Sequence, residues 1–189
     1  MALSYGIVTF SLIVKVPQIL KLVKENSGGV LSLSAISMET FCLAVASIYN
    51  LKRSSPFLAY GESFFIAVQN LIIIYLISRK VSHQFGFVAL YAVLYQLSIA
   101  HLGTLQWLCV FIGAASKVPQ ITSIYKKKTT ASLSFVTVFL QLVGSLARIF
   151  TTYVQIKDNA ILAGFASAFL LNLVITIQFG LYPSHLKKK

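Results

Sequence analysis

The pentapeptide Lys15-Val16-Pro17-Gln18-Ile19 returns as Lys117-Val118-Pro119-Gln120-Ile121, and each copy lies inside a long apolar run. No other feature restricts the fold as tightly. Lysine and proline are both costly inside an apolar helix, so their joint recurrence implies a duplicated structural unit. Proline lacks an N–H and clashes with the carbonyl four residues back, which predicts bends that release Ile13 C=O and Ala115 C=O. In lipid such carbonyls need donors, and the adjacent glutamines are the nearest ones. Pro17, Gln18, Pro119 and Gln120 are therefore read as helix hinges. The repetition extends further. Ser32-Leu33-Ser34 returns as Ser132-Leu133-Ser134, and Asn70-Leu71 as Asn172-Leu173, at shifts of 100 and 102 residues against 102 for the first motif.

Apolar length then sets the fold class. The 189 residues are 57% hydrophobic and only 11% charged, with mean hydropathy +0.82, whereas soluble domains carry roughly 25% charged residues. A membrane span needs about 20 apolar residues, and seven stretches qualify: 4–24, 31–51, 59–78, 84–102, 104–125, 133–154 and 160–182. The fourth and fifth are divided at a tight turn near His101-Leu102-Gly103. The expectation is an all-α polytopic membrane protein, with seven transmembrane helices as two parallel three-helix repeats joined by a linker helix. The first repeat covers 1–83, the linker helix 84–102, and the second repeat with its short basic tail 103–189.

The net charge of +12 does not indicate nucleic acid once its distribution is followed. Lys21, Lys24, Arg79, Lys80, Lys126, Lys127, Lys128, Lys187, Lys188 and Lys189 fall on one side of a seven-span chain, and Lys52, Arg53 and Lys157 on the other. Basic loops stay cytoplasmic, which predicts a cytoplasmic C-terminus, a lumenal N-terminus and contact with anionic lipid headgroups. The first apolar stretch has no basic lead-in and runs into the repeated motif, so it is expected to be retained as a span. Cys42 and Cys109 lie in apolar spans and read as packing residues. No hydrolase, nucleotide-binding or zinc-protease pattern occurs. No enzyme activity, catalytic residue, metal or cofactor is expected.

Four ionisable residues remain inside spans: Lys15, Glu39, Lys117 and Arg148. Glu62, near the lumenal start of the third span, is a candidate counter-charge to Arg148. Intramembrane charges are costly and face protein interiors or watery cavities. Lys15 and Lys117 each precede a loop lysine by nine residues, a depth of about 14 Å at 1.5 Å per residue. Glu39 enters from the same side to a similar depth, so a Lys15–Glu39 pair is open. In the second half Phe139 stands two positions from where a matching acid would fall, and Lys117 is left over. Gln141, Gly144, Arg148, Thr151 and Gln155 form a polar stripe at helical spacing, consistent with a cavity lining. Three cations against at most two acids argue for a visiting anion, and a phosphate suits. The structural alternatives are that the lysines snorkel or bond to proline-freed carbonyls, and that Asn70 and Asn172 are interhelical glue.

The doubled KVPQI in seven spans resembles the PQ-loop superfamily, which includes SWEET sugar transporters, lysosomal cystine and cationic amino-acid exporters and, by fold, the KDEL receptor. Within it, Gly144-Ser145-Leu146-Ala147-Arg148-Ile149-Phe150-Thr151 is similar to the mannose-P-dolichol utilization defect protein family. So are Ser37-Met38-Glu39, Pro56-Phe57, Gly61-Glu62 and Gln69. That resemblance implies an endoplasmic-reticulum membrane protein needed for dolichol-phosphate-mannose and dolichol-phosphate-glucose as lumenal sugar donors, acting by flipping, distributing or chaperoning the lipid-linked sugar. Its ligand would be the dolichol-phosphate sugar, with ER glycosyltransferases as candidate partners. The substrate-binding candidates are Lys15, Glu39, Lys117, Arg148, Asn70, Asn172, Glu62 and Gln141, lining a path between the repeats. The alternatives are a small-solute transporter of the SWEET type, a KDEL-receptor-like cargo receptor and a non-transporting scaffold.

Overall fold

A computed structural model describes residues 2–25, 32–79, 82–130 and 135–182. The second Ser-Leu-Ser triplet (132–134), the segment 26–31 and the C-terminal lysines lie outside the described residues. Within them the chain is helical, with no strand: α1 Ala2–Ser11, α2 Val16–Glu25, α3 Leu33–Lys52, α4 Phe57–Ser78, α5 Ser82–Gln96, α6 Ile99–Lys127, α7 Phe135–Gln155 and α8 Asn159–Leu181. Helix is the only open structure that satisfies every backbone group from within in lipid. Among the described residues six segments are long and apolar enough to cross a membrane, the first being Ser4–Lys24, which combines α1 and α2.

The chain divides into two compact units, Met1–Gln106 and Trp107–Lys189. In the first, α3 packs along α4, while α1 and α2 pack on α4 as well. The third span therefore touches both others. In the second unit α8 packs along α7, and also reaches α6 through Gln178 Nε2, which donates to Ile121 C=O at 3.1 Å. Gly164 of α8 lets α6 come close: a Cβ there would stand 3.2 Å from Val110, so a small residue sets that approach.

Each unit has a buried core at its lysine-rich end. Leu22, Ile36, Ile73 and Ile74 form the first; Ile124, Val138 and Ile175 form the second. Leu22, Ile36 and Ile73 each map onto the second core by adding 102. Helix bounds obey the same shift, since α2 and α6 end at Glu25 and Lys127, and α3 and α7 begin at Leu33 and Phe135. One register of 102 thus governs all three spans. The Ser-Leu-Ser match at a shift of 100 is not part of it. The counterpart of Glu39 is Gln141, two positions from Phe139, where the sequence places the missing acid.

The linker differs from the sequence expectation. His101-Leu102-Gly103 is not a turn but the first turn of α6, and the break falls earlier, at Leu97-Ser98. Ser98 explains this as a helix cap. Its carbonyl accepts from Leu102 N–H at 3.0 Å, and its hydroxyl accepts from His101 N–H at 3.4 Å. Lys52 Nζ donates to the carbonyl of Leu97 at 2.6 Å, satisfying the backbone that α5 leaves open. With 15 residues, α5 is about 22 Å long, short of the roughly 30 Å hydrocarbon layer.

α8 opens on Asp158, whose carboxylate accepts from Ala160 N–H at 2.9 Å and Ile161 N–H at 3.0 Å. Replacing Asp158 with Ala is expected to cost about 1 kcal/mol, seen as a lower thermal midpoint of the detergent-solubilised protein. Asp158→Asn keeps the accepting oxygen and should lose less than half of that. Equal losses would mean that the charge, not the cap, matters.

Candidate functional site

In the first unit the site is built around a break in the first span. α1 stops at Ser11 and α2 starts at Val16. An unbroken helix would carry a hydrogen bond from Lys15 N–H to Ser11 C=O. Here the carboxamide of Gln69, from the middle of α4, occupies that gap. Its Oε1 accepts from Lys15 N–H at 3.0 Å, and its Nε2 donates to Ser11 C=O at 2.7 Å. One missing bond is thereby replaced by two, and neither of these backbone groups is left dry. The carbonyl of Ile13, expected to be freed by Pro17, accepts from Val16 N–H at 3.1 Å. Gln18 therefore does not serve the break as the sequence suggests. It is close in sequence, whereas Gln69 is close in space. Pro17 sits in the first turn of α2, where its fixed φ and missing N–H are tolerated.

The side chain of Lys15 leaves this break and meets Glu39 of α3, with Nζ 2.9 Å from Oε1 and 3.0 Å from Oε2. The open Lys15–Glu39 pairing is thus resolved: the two form an ion pair. Its side chains are 18% and 39% exposed, so the pair is not dry and its attraction is partly screened.

The second unit repeats the contact with one atom type changed. Lys117 Nζ donates to Gln141 Oε1 at 2.9 Å, and the partners are again 24 residues apart. An amide carbonyl stands where the first unit has a carboxylate, so this contact satisfies the Lys117 ammonium without neutralising it. α6 itself runs unbroken through Pro119. The counterpart of Gln69 is Leu171, which has nothing to insert. Proline alone does not cut this helix. Expected hinges at Pro119 and Gln120 are accordingly not matched by a break.

Arg148 of α7 is 4% exposed, and its guanidinium lies 5.5 Å from the ring centroid of Phe165 on α8. A ring face is a favourable seat for a desolvated guanidinium. The polar stripe read along α7 is not one surface: Arg148 and Thr151 are buried, whereas Gln141 and Gly144 are exposed. The second unit's sequence contains a single acidic residue, Asp158, and that one caps α8. Its spans therefore carry two cations and no carboxylate. Glu62 belongs to the first unit, half-buried on α4.

Asn70 and Asn172, paired by the 102 register, are both buried at α4 and α8. Neither amide atom of Asn70 has a hydrogen-bond partner among the described residues, nor has Oδ1 of Asn172. Of the residues the sequence singles out, Lys15, Glu39, Lys117 and Gln141 come together as two like pairs. Gln69, the residue that opens the first span, is the one that sequence reasoning misses. A glutamine in an apolar span with no polar counterpart in the other repeat is the available signal.

A duplicated three-span unit of this kind, with a proline–glutamine motif in the first span of each copy, defines a class. The PQ loop repeat family matches residues 1–59 and 102–161, which is most of the chain, so the protein belongs to that family and is a multi-pass membrane protein. A particular relative is the human protein "Solute carrier family 66 member 3". It is 27% identical over 173 residues, spanning 86% of this chain and 84% of the relative.

Gln69→Leu gives the first unit the residue of the second. It is expected to close the break, restoring the direct Lys15 N–H to Ser11 C=O bond and slowing amide hydrogen exchange at Lys15. Unchanged exchange would show that local sequence, not Gln69, opens the helix.

Proposed function

We propose that the protein is a membrane transporter whose substrate carries an anionic group, bound with the help of Lys117 and Arg148. One observation carries this reading. Lys117 meets an amide where Lys15 meets a carboxylate, so its charge is solvated by the protein but not cancelled by it. A cation kept inside a bilayer beside no acid is costly, and a substrate anion offsets that cost while bound. The name of the human relative, a solute carrier, supports transport rather than catalysis.

The finer form of the proposal is that the anion is the phosphodiester of dolichol-phosphate-mannose or dolichol-phosphate-glucose, handled in the endoplasmic-reticulum membrane with the C-terminus cytoplasmic and the N-terminus lumenal. It rests on the resemblance of the Arg148 segment to the mannose-P-dolichol utilization defect family, with ER glycosyltransferases as candidate partners. Arg148 and Lys117 would hold the phosphodiester, with Gln141 beside Lys117. A second reading, a neutral small solute such as a sugar, has its own support. The fully buried Asn70 has an unsatisfied amide, which a hydroxyl-rich ligand would complete.

Vesicles containing the full chain separate these readings. Transbilayer exchange of a citronellyl phosphomannose analogue is expected, and Arg148→Gln should slow it about tenfold or more, the loss typical of a charge-assisted hydrogen bond. Uptake of radiolabelled sugar at the same rate in wild type and Arg148→Gln, with no phosphomannose exchange, would instead favour the neutral solute.

A further inference from the structure

We infer that α6 is a two-state helix and that Gln178 of α8 is the residue that holds its second state. In that state the hydrogen-bond ladder is open between Ile121 and Tyr125, and the Gln178 carboxamide bridges the gap as Gln69 bridges the gap in the first span. The inference concerns the lysine-rich end of the second unit and does not depend on which substrate is carried.

The two glutamines share one face of the third span at two levels. Gln178 stands seven residues beyond Leu171, the counterpart of Gln69, and its own counterpart in α4 is Leu76. Seven residues are two helical turns. Gln69 makes two bonds, since its Nε2 donates to Ser11 C=O and its Oε1 accepts from Lys15 N–H, four residues on. Gln178 makes only the first of these. Its Nε2 donates to Ile121 C=O at 3.1 Å, while its Oε1 has no partner among the described residues, in a residue only 6% exposed. Turning the amide over would set Oε1 against a carbonyl oxygen. Four residues beyond Ile121 is Tyr125, whose N–H the continuous helix pairs with Ile121 C=O.

The two states are close in hydrogen bonding. In the closed helix Ile121 C=O accepts from both Tyr125 N–H and Gln178, and Oε1 stays dry at the full desolvation cost of a buried acceptor. In the open helix Oε1 takes the Tyr125 N–H. The number of bonds is unchanged, and neither amide atom is left over. The helix is already weakened at this point. Pro119 lies two residues upstream and brings no N–H to the ladder. Thr122 Oγ1 bonds back to Val118 C=O at 3.0 Å and to Pro119 C=O at 3.1 Å, a pattern that destabilises and bends helices. The first unit has leucines instead, Leu20 for Thr122 and Leu76 for Gln178.

A latch at the end of α6 favours the closed state. Lys128 Nζ lies 3.8 Å from the ring centroid of Tyr125 and 4.6 Å from that of Tyr182, and it donates to the Tyr182 hydroxyl at 2.9 Å. Thr130 Oγ1 donates to Tyr182 C=O at 2.9 Å, and Tyr182 N–H donates to Gln178 C=O at 2.8 Å. Opening moves Tyr125 against Lys128, so the latch must yield before the bridge forms. Lys117 lies one turn before Ile121, and its contact with Gln141 is kept while the segment beyond it swings.

Nitroxide labels at Lys127→Cys and Val143→Cys, both exposed, report the distance from the end of α6 to α7. They are placed in the full chain carrying Cys42→Ala and Cys109→Ala, in lipid nanodiscs, and read by pulsed electron paramagnetic resonance. The chain with its latch intact is expected to be mainly closed. Lys128→Met should raise a second distance, and adding Gln178→Leu should lower the open-to-closed ratio about tenfold, the scale of one buried hydrogen bond. A single distance with and without Lys128→Met, or a ratio that does not respond to Gln178→Leu, overturns the inference. A readout with Gln178 in place is the dipolar coupling between the Tyr125 amide nitrogen and the Gln178 carboxamide carbon, by solid-state nuclear magnetic resonance. It should strengthen in Lys128→Met, and an unchanged coupling overturns the bridge. None of these outcomes bears on the anionic reading, which stands or falls on binding and exchange.

Discussion

An ammonium group held inside a bilayer must be given an acceptor by the protein itself, because lipid tails give none. This requirement organises both halves of the molecule. In each, the lysine of the first span finds its acceptor on the second span, 24 residues further along, at 2.9 Å. The third span supports that arrangement from within each core, through Ile73 of α4 in one unit and Ile175 of α8 in the other. The same contact tells the halves apart. A carboxylate in one and an amide in the other leave the first lysine balanced and the second positive.

The duplicated pentapeptide has two backbone outcomes, and the difference is tertiary. Lys-Val-Pro-Gln-Ile follows a broken helix in one unit and lies in a continuous one in the other. Proline removes one donor in both. Only where a carboxamide from the neighbouring helix enters the ladder does the helix open, and Leu171 cannot do in the second unit what Gln69 does in the first. A helix interrupted inside a membrane protein is tolerated where its backbone is satisfied by protein, and that condition is met here by a single side chain. Structural asymmetry between repeats then follows from one position rather than from the motif that defines them.

Much of this architecture is legible in the sequence, for identifiable reasons. The membrane class and the duplicated unit are properties of composition and of residue identity, which need no knowledge of rotation. Depth follows from counting residues to Lys24 and Lys126, so the buried charges are recognisable. The features that escape sequence reasoning are spatial. The Ser-Leu-Ser match at a shift of 100 departs from the register of 102, because a short loop-proximal match carries no information about helical register. The buried positions Ile36 and Val138 do carry it. The linker boundary is misplaced because hydropathy runs smoothly through Leu97-Ser98, while a hydroxyl cap and a reach by Lys52 decide the break. The stripe on α7 is a correct periodicity, but burial divides it, and Phe165 covers Arg148.

Lys117 is held by an amide rather than by a counter-ion, and the proposed function has a visiting anion supply the missing charge. Gln141→Glu puts a carboxylate beside Lys117, in a contact the first unit already shows to be compatible with the fold. Binding of citronellyl phosphomannose to that variant, measured by calorimetry at neutral pH, tests the claim directly. The account predicts affinity weaker by about tenfold or more, the scale of one charged hydrogen bond, in a protein of undiminished thermal stability. Wild-type affinity in the folded Gln141→Glu variant would contradict it.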